Sequence, residues 1–462
     1  MKTVIRLRSR LSPIATGLAL LAAHALPASA ATTRIVERIE VDRIFSGLTV
    51  GFQSLTDEAN NRQYVAYYDA NRDMAVASRA LDSRQWTKRV LPTRVGWDSH
   101  NYVTLALDRD GHLHVTGNMH CAPLIYFRTT TPGDVMSLRP VARMTGAREM
   151  RVTYPQFIKG ADGELIFTYR DGESGNGDTL YNHYDEKNQR WTRLMDKPLF
   201  DGQGIMNAYP VGPVRGPDGA WHLTWVWRDT PDAGSNHDLS YARSRDLVHW
   251  ETAGGKPLPL PISLRTPGSV IDPVPPGGAI INGTGRIGFD DRQRTVLSYH
   301  KYDDKGATQI YLARDEGGVW KITRLTDWNY RWSPGGGGTI SFDVSCSGLR
   351  HDPRIGYYIG LENRVEGRGA WRVDPATLKL GEKLRADELP AWIPPELLRR
   401  TGEDPRLTVR IPSEPGKMYP GRRYLLRWES LPFNRDRPPE PPIPAPGTLE
   451  MITIETLETS AN

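Results

Sequence analysis

An Asp-Gly turn followed by a short strand recurs along this chain at near-constant spacing. That recurrence limits the possible fold more than any other feature. Asp110-Gly111, Asp162-Gly163 and Asp218-Gly219 stand 52 and 56 residues apart. Looser versions follow at Asp290-Asp291 and Asp352-Pro353. A period of ~50 residues marks an architecture in which each repeat is one supersecondary unit, stacked on its neighbours to bury a shared core.

Between the turns the apolar runs are short, as in Tyr64-Val65-Ala66-Tyr67, Leu113-His114-Val115, Glu164-Leu165-Ile166-Phe167 and Trp221-His222-Leu223-Thr224. They are bounded by Gly, Pro, Asn and Asp, the pattern of strands. Helical periodicity is confined to Pro394–Thr401 (PPELLRRT). Several units end in a strand, a polar turn and a Trp, at Trp86, Trp191, Trp250 and Trp320. Four strands per ~50 residues, repeated, is the blade of a β-propeller. The expectation is therefore an all-β fold, a single-domain seven-bladed β-propeller over residues 31–462. Its blades are read at 62–91, 100–143, 152–200, 207–258, 279–325 and 338–385. A last blade, Arg422–Glu429 with Leu449–Glu455, is completed by an N-terminal strand from Ile35 to Phe52. Closing the ring with both chain ends protects its edges. Arg437–Pro446 is Pro-rich and reads as a stiff loop.

The first 30 residues stand apart. Lys2, Arg6, Arg8 and Arg10 precede an apolar stretch, Ile14–Ala23, and Ala28-Ser29-Ala30 supplies an A-x-A cleavage site. This is a signal-peptide pattern, so residues 1–30 are expected to be removed and the protein to be secreted or periplasmic. The apolar run is too short to span a bilayer. The full chain carries a formal +5, but without the leader the balance is 55 basic to 54 acidic residues, a net of +1. Nucleic-acid binding thus loses its electrostatic argument. Trp 13 and Tyr 19 against Phe 9 favour rings with a polar edge. Such rings line sugar clefts, and they also simply suit strands.

Four residues carry candidate chemistry: His100 in DSHNYV, His120 in GNMHC, Tyr154 in VTYPQF and Arg170 in FTYRDG. In each pair, 20 and 16 residues apart, the first opens a unit and the second follows the next strand. A hairpin returns such positions to one rim, so adjacent blades would place two His, a Tyr and an Arg round one cleft. Each alone has a plainer explanation: a structural His, a packing Tyr before Pro, an Arg170–Asp171 ion pair worth little at a surface. Together they suit β-elimination on a uronic acid. A cation neutralises the carboxylate and steadies the enolate, a base removes the C5 proton, and an acid protonates the leaving oxygen. Hydrolysis would instead want a carboxylate pair.

The motifs DSHN (98–101), GNMHCAPLIYFR (117–128), TYPQF (153–157), TYRDGESGNG (168–177) and NHDLSYARSRDLVHW (236–250) resemble those of BNR-repeat-containing secreted propellers, including ulvan lyases and rhamnose–glucuronate lyases. Ser244-Arg245-Asp246 with Trp250 is similar to the Asp-box turn of sialidase-like propellers, a mark of fold. The resemblance implies a polysaccharide lyase acting on a uronate-containing polysaccharide. His100 and His120 would face the uronate, Tyr154 would act in proton transfer and Arg170 would neutralise the carboxylate. His120 is favoured as base and Tyr154 as acid, with one Tyr in both roles as the rival. Tyr209 in NAYPVG would be a further substrate contact, and Arg228, Asn236, His237 and Lys301 are candidate subsite residues. No cofactor is expected for catalysis. A structural Zn2+ on Cys121, Cys346 and His351, or a structural Ca2+, is open, as is a Cys121–Cys346 disulfide against two buried thiols. The protein is expected to be monomeric. The competing readings are a hydrolase of the same fold releasing rhamnose and a non-catalytic sugar-binding propeller.

Overall fold

The computed structural model describes residues 32–390, 393–412 and 421–457. The leader and its cleavage site lie outside them. Strands dominate, and among the described residues they form seven small antiparallel sheets of four or five strands. Six of these are local in sequence, spanning 53–94, 103–140, 152–201, 207–272, 286–324 and 344–384. A four-stranded path runs in chain order across each, as expected of successive hairpins, and in the three five-stranded sheets one further short strand pairs off that path. The seventh sheet joins the two ends of the chain. Thr408–Arg410, Arg422–Ser430 and Gly447–Leu457 are followed at its edge by Thr32–Ile44, paired along the whole length of Gly447–Leu457.

The sequence boundaries shift in several places, and the fourth sheet gains Val270–Asp272 beyond its expected end at residue 258. Phe52 does not belong to the closing strand, which ends at Ile44. The first sheet begins with Gln53–Asp57, earlier than residue 62. The expected helix at Pro394–Thr401 is only a 3-10 turn, Pro395–Leu398. Its Pro-Pro start satisfies no side-chain cap, and too few residues follow to repay helix nucleation. Arg437–Pro446 is a loop between two strands of the same sheet. No helix among the described residues is long and apolar enough to cross a membrane.

The middle strands are buried on both faces, so hydrophobic alternation fades: every residue of Trp221–Arg228 is buried, as is every residue of Leu113–Gly117. Sheets packed against sheets on both sides produce this. The first and seventh sheets share one core, in which Phe52 stacks on Trp428 with ring centroids 4.7 Å apart. At the Asp-box-like turn, Asp246 accepts from the backbone N–H of Val248 and His249, and Trp250 is buried against it.

The Asp-Gly turns link the first two strands of the second, third and fourth sheets and therefore gather at one end of the molecule. The opposite ends of those strands carry the candidate chemistry. A cavity of about 1260 Å3 lies at the Asp-Gly end, lined by Gln53–Asp57, Asp108–Gly111 and Lys159. It contains none of the candidate residues, so size does not locate the site.

Candidate active site

The site is built by pairing register. Thr153 lies opposite Arg170 across the third sheet, and Asn207 lies opposite Arg228 across the fourth. In the second sheet Val103 pairs with Gly117, so His100 and His120 each extend three residues beyond the last pair, at the same end. The strand Val152–Lys159 has a register irregularity between Thr153 and Gln156, and Tyr154 there adopts φ +57°. A non-glycine residue in that region costs about 1–3 kcal/mol. The bulge takes the Tyr154 ring off the regular alternation of its strand and sets it among its neighbours.

Ring centroids place His100 4.3 Å from His120 and 5.8 Å from Tyr154. Tyr154 lies 6.1 Å from Tyr209. The Arg170 guanidinium carbon is 5.0 Å from the centre of the Tyr154 ring and 6.0 Å from that of Tyr209. Arg228 sits 5.3 Å from the Tyr209 ring. A cavity of about 260 Å3 is lined in part by Tyr102, Tyr154, Arg170, Tyr209 and Asn282.

Arg170 is 3% exposed. Its Nη2 donates to Thr153 Oγ1 at 3.0 Å and its Nη1 to Tyr209 Oη at 3.4 Å, while its buried Nε has no partner. No carboxylate of the described residues forms an ion pair with it. The Arg170–Asp171 pair weighed from sequence is absent: adjacent strand residues face opposite sides, and Asp171 instead accepts from Arg148 at 2.7 Å. A buried cation without an anion is costly unless a ligand supplies one.

Asp98 joins the two histidines. Its Oδ1 accepts from His100 Nδ1 at 2.7 Å and from the His100 backbone N–H at 2.8 Å, and its Oδ2 is bound by His120 Nδ1. Burial alone would raise this carboxyl, but the hydrogen bonds from His100 and His120 outweigh it and hold the pKa well below the usual carboxylate range. An ionised carboxylate only accepts, so both rings carry a proton on Nδ1 and, when neutral, leave Nε2 bare. Asp436 stands behind His100, 3.5 Å from its Nδ1, and accepts from Ser99 and from the Thr339 backbone N–H. Burial pushes the Tyr154 hydroxyl up, Tyr209 adds to this, and Arg170 and Arg228 pull against it. The net rise keeps Tyr154 protonated, the form of a proton donor.

The structure thus gathers His100, His120, Tyr154, Arg170 and Tyr209, with Arg228 reached through Tyr209. Arg228 is otherwise occupied by the carbonyls of Thr230 and Pro231. Asn236 donates to Ala233 O and Asn282 Oδ1. His237 is clamped between Asp238 and Asp229 at 2.8 and 3.0 Å. Lys301 is engaged by Asp272 at 2.6 Å. None of these last three hydrogen-bonds or stacks with the central four.

Cys121, Cys346 and His351 do not gather as metal ligands: among the described residues, Asp98, His100 and His120 form the one group of such side chains with ligand atoms within 4.8 Å. Both cysteines are free thiols, and burial raises that of Cys346 to about 11. Sequence reasoning missed Asp98, although it stands two residues before His100 in a quoted motif. It also missed Thr153, Ser174, which lies 2.8 Å from Tyr209 Oη, and Asp436.

Repeated four- and five-stranded sheets with a His/Tyr/Arg cluster at one end define an all-β repeat protein of propeller type. The chain belongs to the BNR repeat-containing family, which matches residues 62–328. A short isoform of ulvan lyase from Alteromonas sp. (strain LOR) is 43% identical over 61 residues, and that match spans 13% of this chain and 12% of the relative. The crystal structure of polysaccharide lyase Uly1 superposes with a TM-score of 0.59 at 13% identity, covering 91% of this chain and 99% of that one. A PL25 ulvan lyase bound to -[GlcA(1-4)Rha3S]- gives a TM-score of 0.54 at 13% identity, covering 89% and 95%. At such identities these structures speak to the fold.

Proposed function

We propose that the seven sheets are the blades of one seven-bladed propeller and that the protein is a polysaccharide lyase. In this reading it is exported, with Ala31 as the mature N-terminus, and acts as a monomer. It cleaves a glycosidic bond to glucuronic or iduronic acid, next to rhamnose, by β-elimination. The observation that carries this reading is Arg170: a buried guanidinium with no carboxylate partner among the described residues and an unpartnered Nε, beside a tyrosine and two histidines. The uronate carboxylate is the anion it lacks. The solved relative bound to a glucuronate–rhamnose sulfate unit supports the same class of substrate.

The residues divide the work as follows. Arg170 binds the carboxylate and gains most as negative charge develops on the enolate. Asp98 holds the proton of His120 on Nδ1, leaving Nε2 to take the C5 proton. The C4–C5 double bond forms as the C4–O bond breaks, and Tyr154 gives its proton to the departing oxygen. His100, held by Asp98 and Asp436, positions the uronate. Tyr209, Arg228, Asn236, His237 and Lys301 remain candidates for flanking sugars. No step calls for a metal.

Incubation with uronate-containing polysaccharides tests this directly. The expected product absorbs in the ultraviolet as an unsaturated uronate. New reducing ends without that absorbance would indicate hydrolysis, and binding without either would indicate a sugar-binding module.

A further inference from the structure

We propose that Asp98, His100 and His120 also form a site for a zinc-class divalent ion, and that occupying it switches the elimination off. The inhibitory half rests on the function proposed above; the binding half does not. Two imidazoles and one carboxylate are the donor set with which such ions are held by three protein ligands and an open position. The three ligand atoms already lie within 4.8 Å of one another. The side chains of Asp98, His100 and His120 are 27%, 21% and 28% exposed, so an ion can enter from solvent. A second carboxylate stands by: Asp436, fixed by Ser99 and Thr339, lies 3.5 Å from the same His100 Nδ1 and adds negative charge beside the ion.

The consequence for catalysis follows from which nitrogen is used. The atoms that face Asp98 are the two Nδ1. An ion between them and the carboxylate replaces both Nδ1 protons. Each neutral ring then takes a proton from solvent on Nε2 while the Nδ1 proton leaves to solvent, so no net proton is gained or lost. His120 Nε2 becomes an N–H donor and can no longer accept the C5 proton. Arg170 and Tyr209 are untouched, and His100, still held through Nδ1, gains an Nε2–H that can donate to the uronate anion, so the uronate still binds. The ion therefore lowers kcat and leaves KM nearly unchanged.

The test uses the full chain and Co2+ as a spectroscopic probe. Visible d–d bands of a four- or five-coordinate ion are expected, displaced by Zn2+ and lost in both His100→Ala and His120→Ala. His100→Gln and His120→Gln serve should the alanine variants fold poorly, as judged by circular dichroism. His249→Ala is the control, since that ring is 87% exposed and pairs with Asp246 elsewhere. Absence of bands with millimolar Co2+, or bands that survive both substitutions, overturns the site. With an active lyase, saturating Zn2+ should reduce kcat at least tenfold, shift KM less than about threefold, and be reversed by a chelator. Bands at the site with an unchanged kcat overturn the switch. A chain with no lyase activity but with His-dependent bands would refute the functional reading and leave the metal site standing.

Discussion

At the level of single residues, charge decides. If Arg170 stabilises the enolate, Arg170→Ala lowers kcat by ~10²–10³-fold, the usual cost of one such donor. Arg170→Lys restores only part, because an ammonium cannot present a planar fork to a carboxylate. Steady-state rates of unsaturated-product formation decide this; turnover within a few-fold of the parent would remove Arg170 from the mechanism. Asp98→Asn should be comparably damaging, between ~10²- and ~10⁴-fold in kcat, because the amide can donate to Nδ1 and stabilise the wrong tautomer. A normal kcat in that variant would show that the hydrogen bonds to Asp98 are incidental. His100, His120, Tyr154 and Arg170 were legible in the sequence because the repeat places equivalent positions at one end of consecutive sheets, and Tyr209 came from the family resemblance. Asp98 was hidden by its type: one acid among 54 carries no signal until its two partners are seen. For Lys301, repeat position fixes where the residue stands, whereas an adjacent carboxylate, here Asp272, decides where its side chain goes, and that partner is not readable from sequence.

At the level of elements, the third sheet serves as the anvil of the site. Thr153 Oγ1 receives both Arg170 Nη2 and, at 2.7 Å, the backbone N–H of Cys121 from the second sheet. One hydroxyl thus ties two sheets and one functional cation together. Thr153→Val keeps the shape and removes the acceptor. It should destabilise the fold by about 1–3 kcal/mol, the cost of stranding a buried donor, with a raised KM as Arg170 loosens. Urea denaturation and kinetics measure the two effects, and a variant as stable as the parent would show the tie to be dispensable. The Asp-Gly turns made these strands readable from sequence. Their inner edges were less so: the closing strand reads on to Phe52 and Gln53–Asp57 reads as no strand, because Leu55 is the one apolar residue in that segment and leaves no hydrophobic pattern, although its burial alternates. The helix at Pro394–Thr401 was overread for a related reason, since a short apolar spacing of three or four suits one turn as well as two.

At the level of the whole molecule, two fully buried histidines contribute to the response to acid. Burial lowers His300 to about 3, and burial lowers His114 to about 4 against the opposing pull of Asp108. Both are neutral when folded and titrate near 6.5 when unfolded. The unfolded chain therefore binds more protons between about pH 6.5 and 3–4, and stability falls as pH drops through that window. Each group contributes up to about 1.4 kcal/mol per pH unit there. Denaturation midpoints at pH 7 and pH 4.5 should differ accordingly, and His300→Leu should flatten the slope; an unchanged slope would count against His300. Phe52→Ala, which breaks the stack on Trp428 between the first and seventh sheets, should cost about 3–5 kcal/mol in the same assay.

The carboxylate behind His100 comes from Asp436, 337 residues after its partner Ser99. That separation acquires meaning during biosynthesis. The ribosome delivers the histidines, Tyr154 and Arg170 early, yet at ~5–20 residues per second it needs roughly another quarter to a full minute to deliver Asp436. The edge of the seventh sheet waits longer still, because Thr32–Ile44 finds its partner only when Gly447–Leu457 arrives. Under the function proposed above, a nascent or C-terminally clipped chain holds His100, His120, Tyr154 and Arg170 and still lacks the Asp436 carboxylate and the closing strand pair. The proposed site is then complete only when synthesis is.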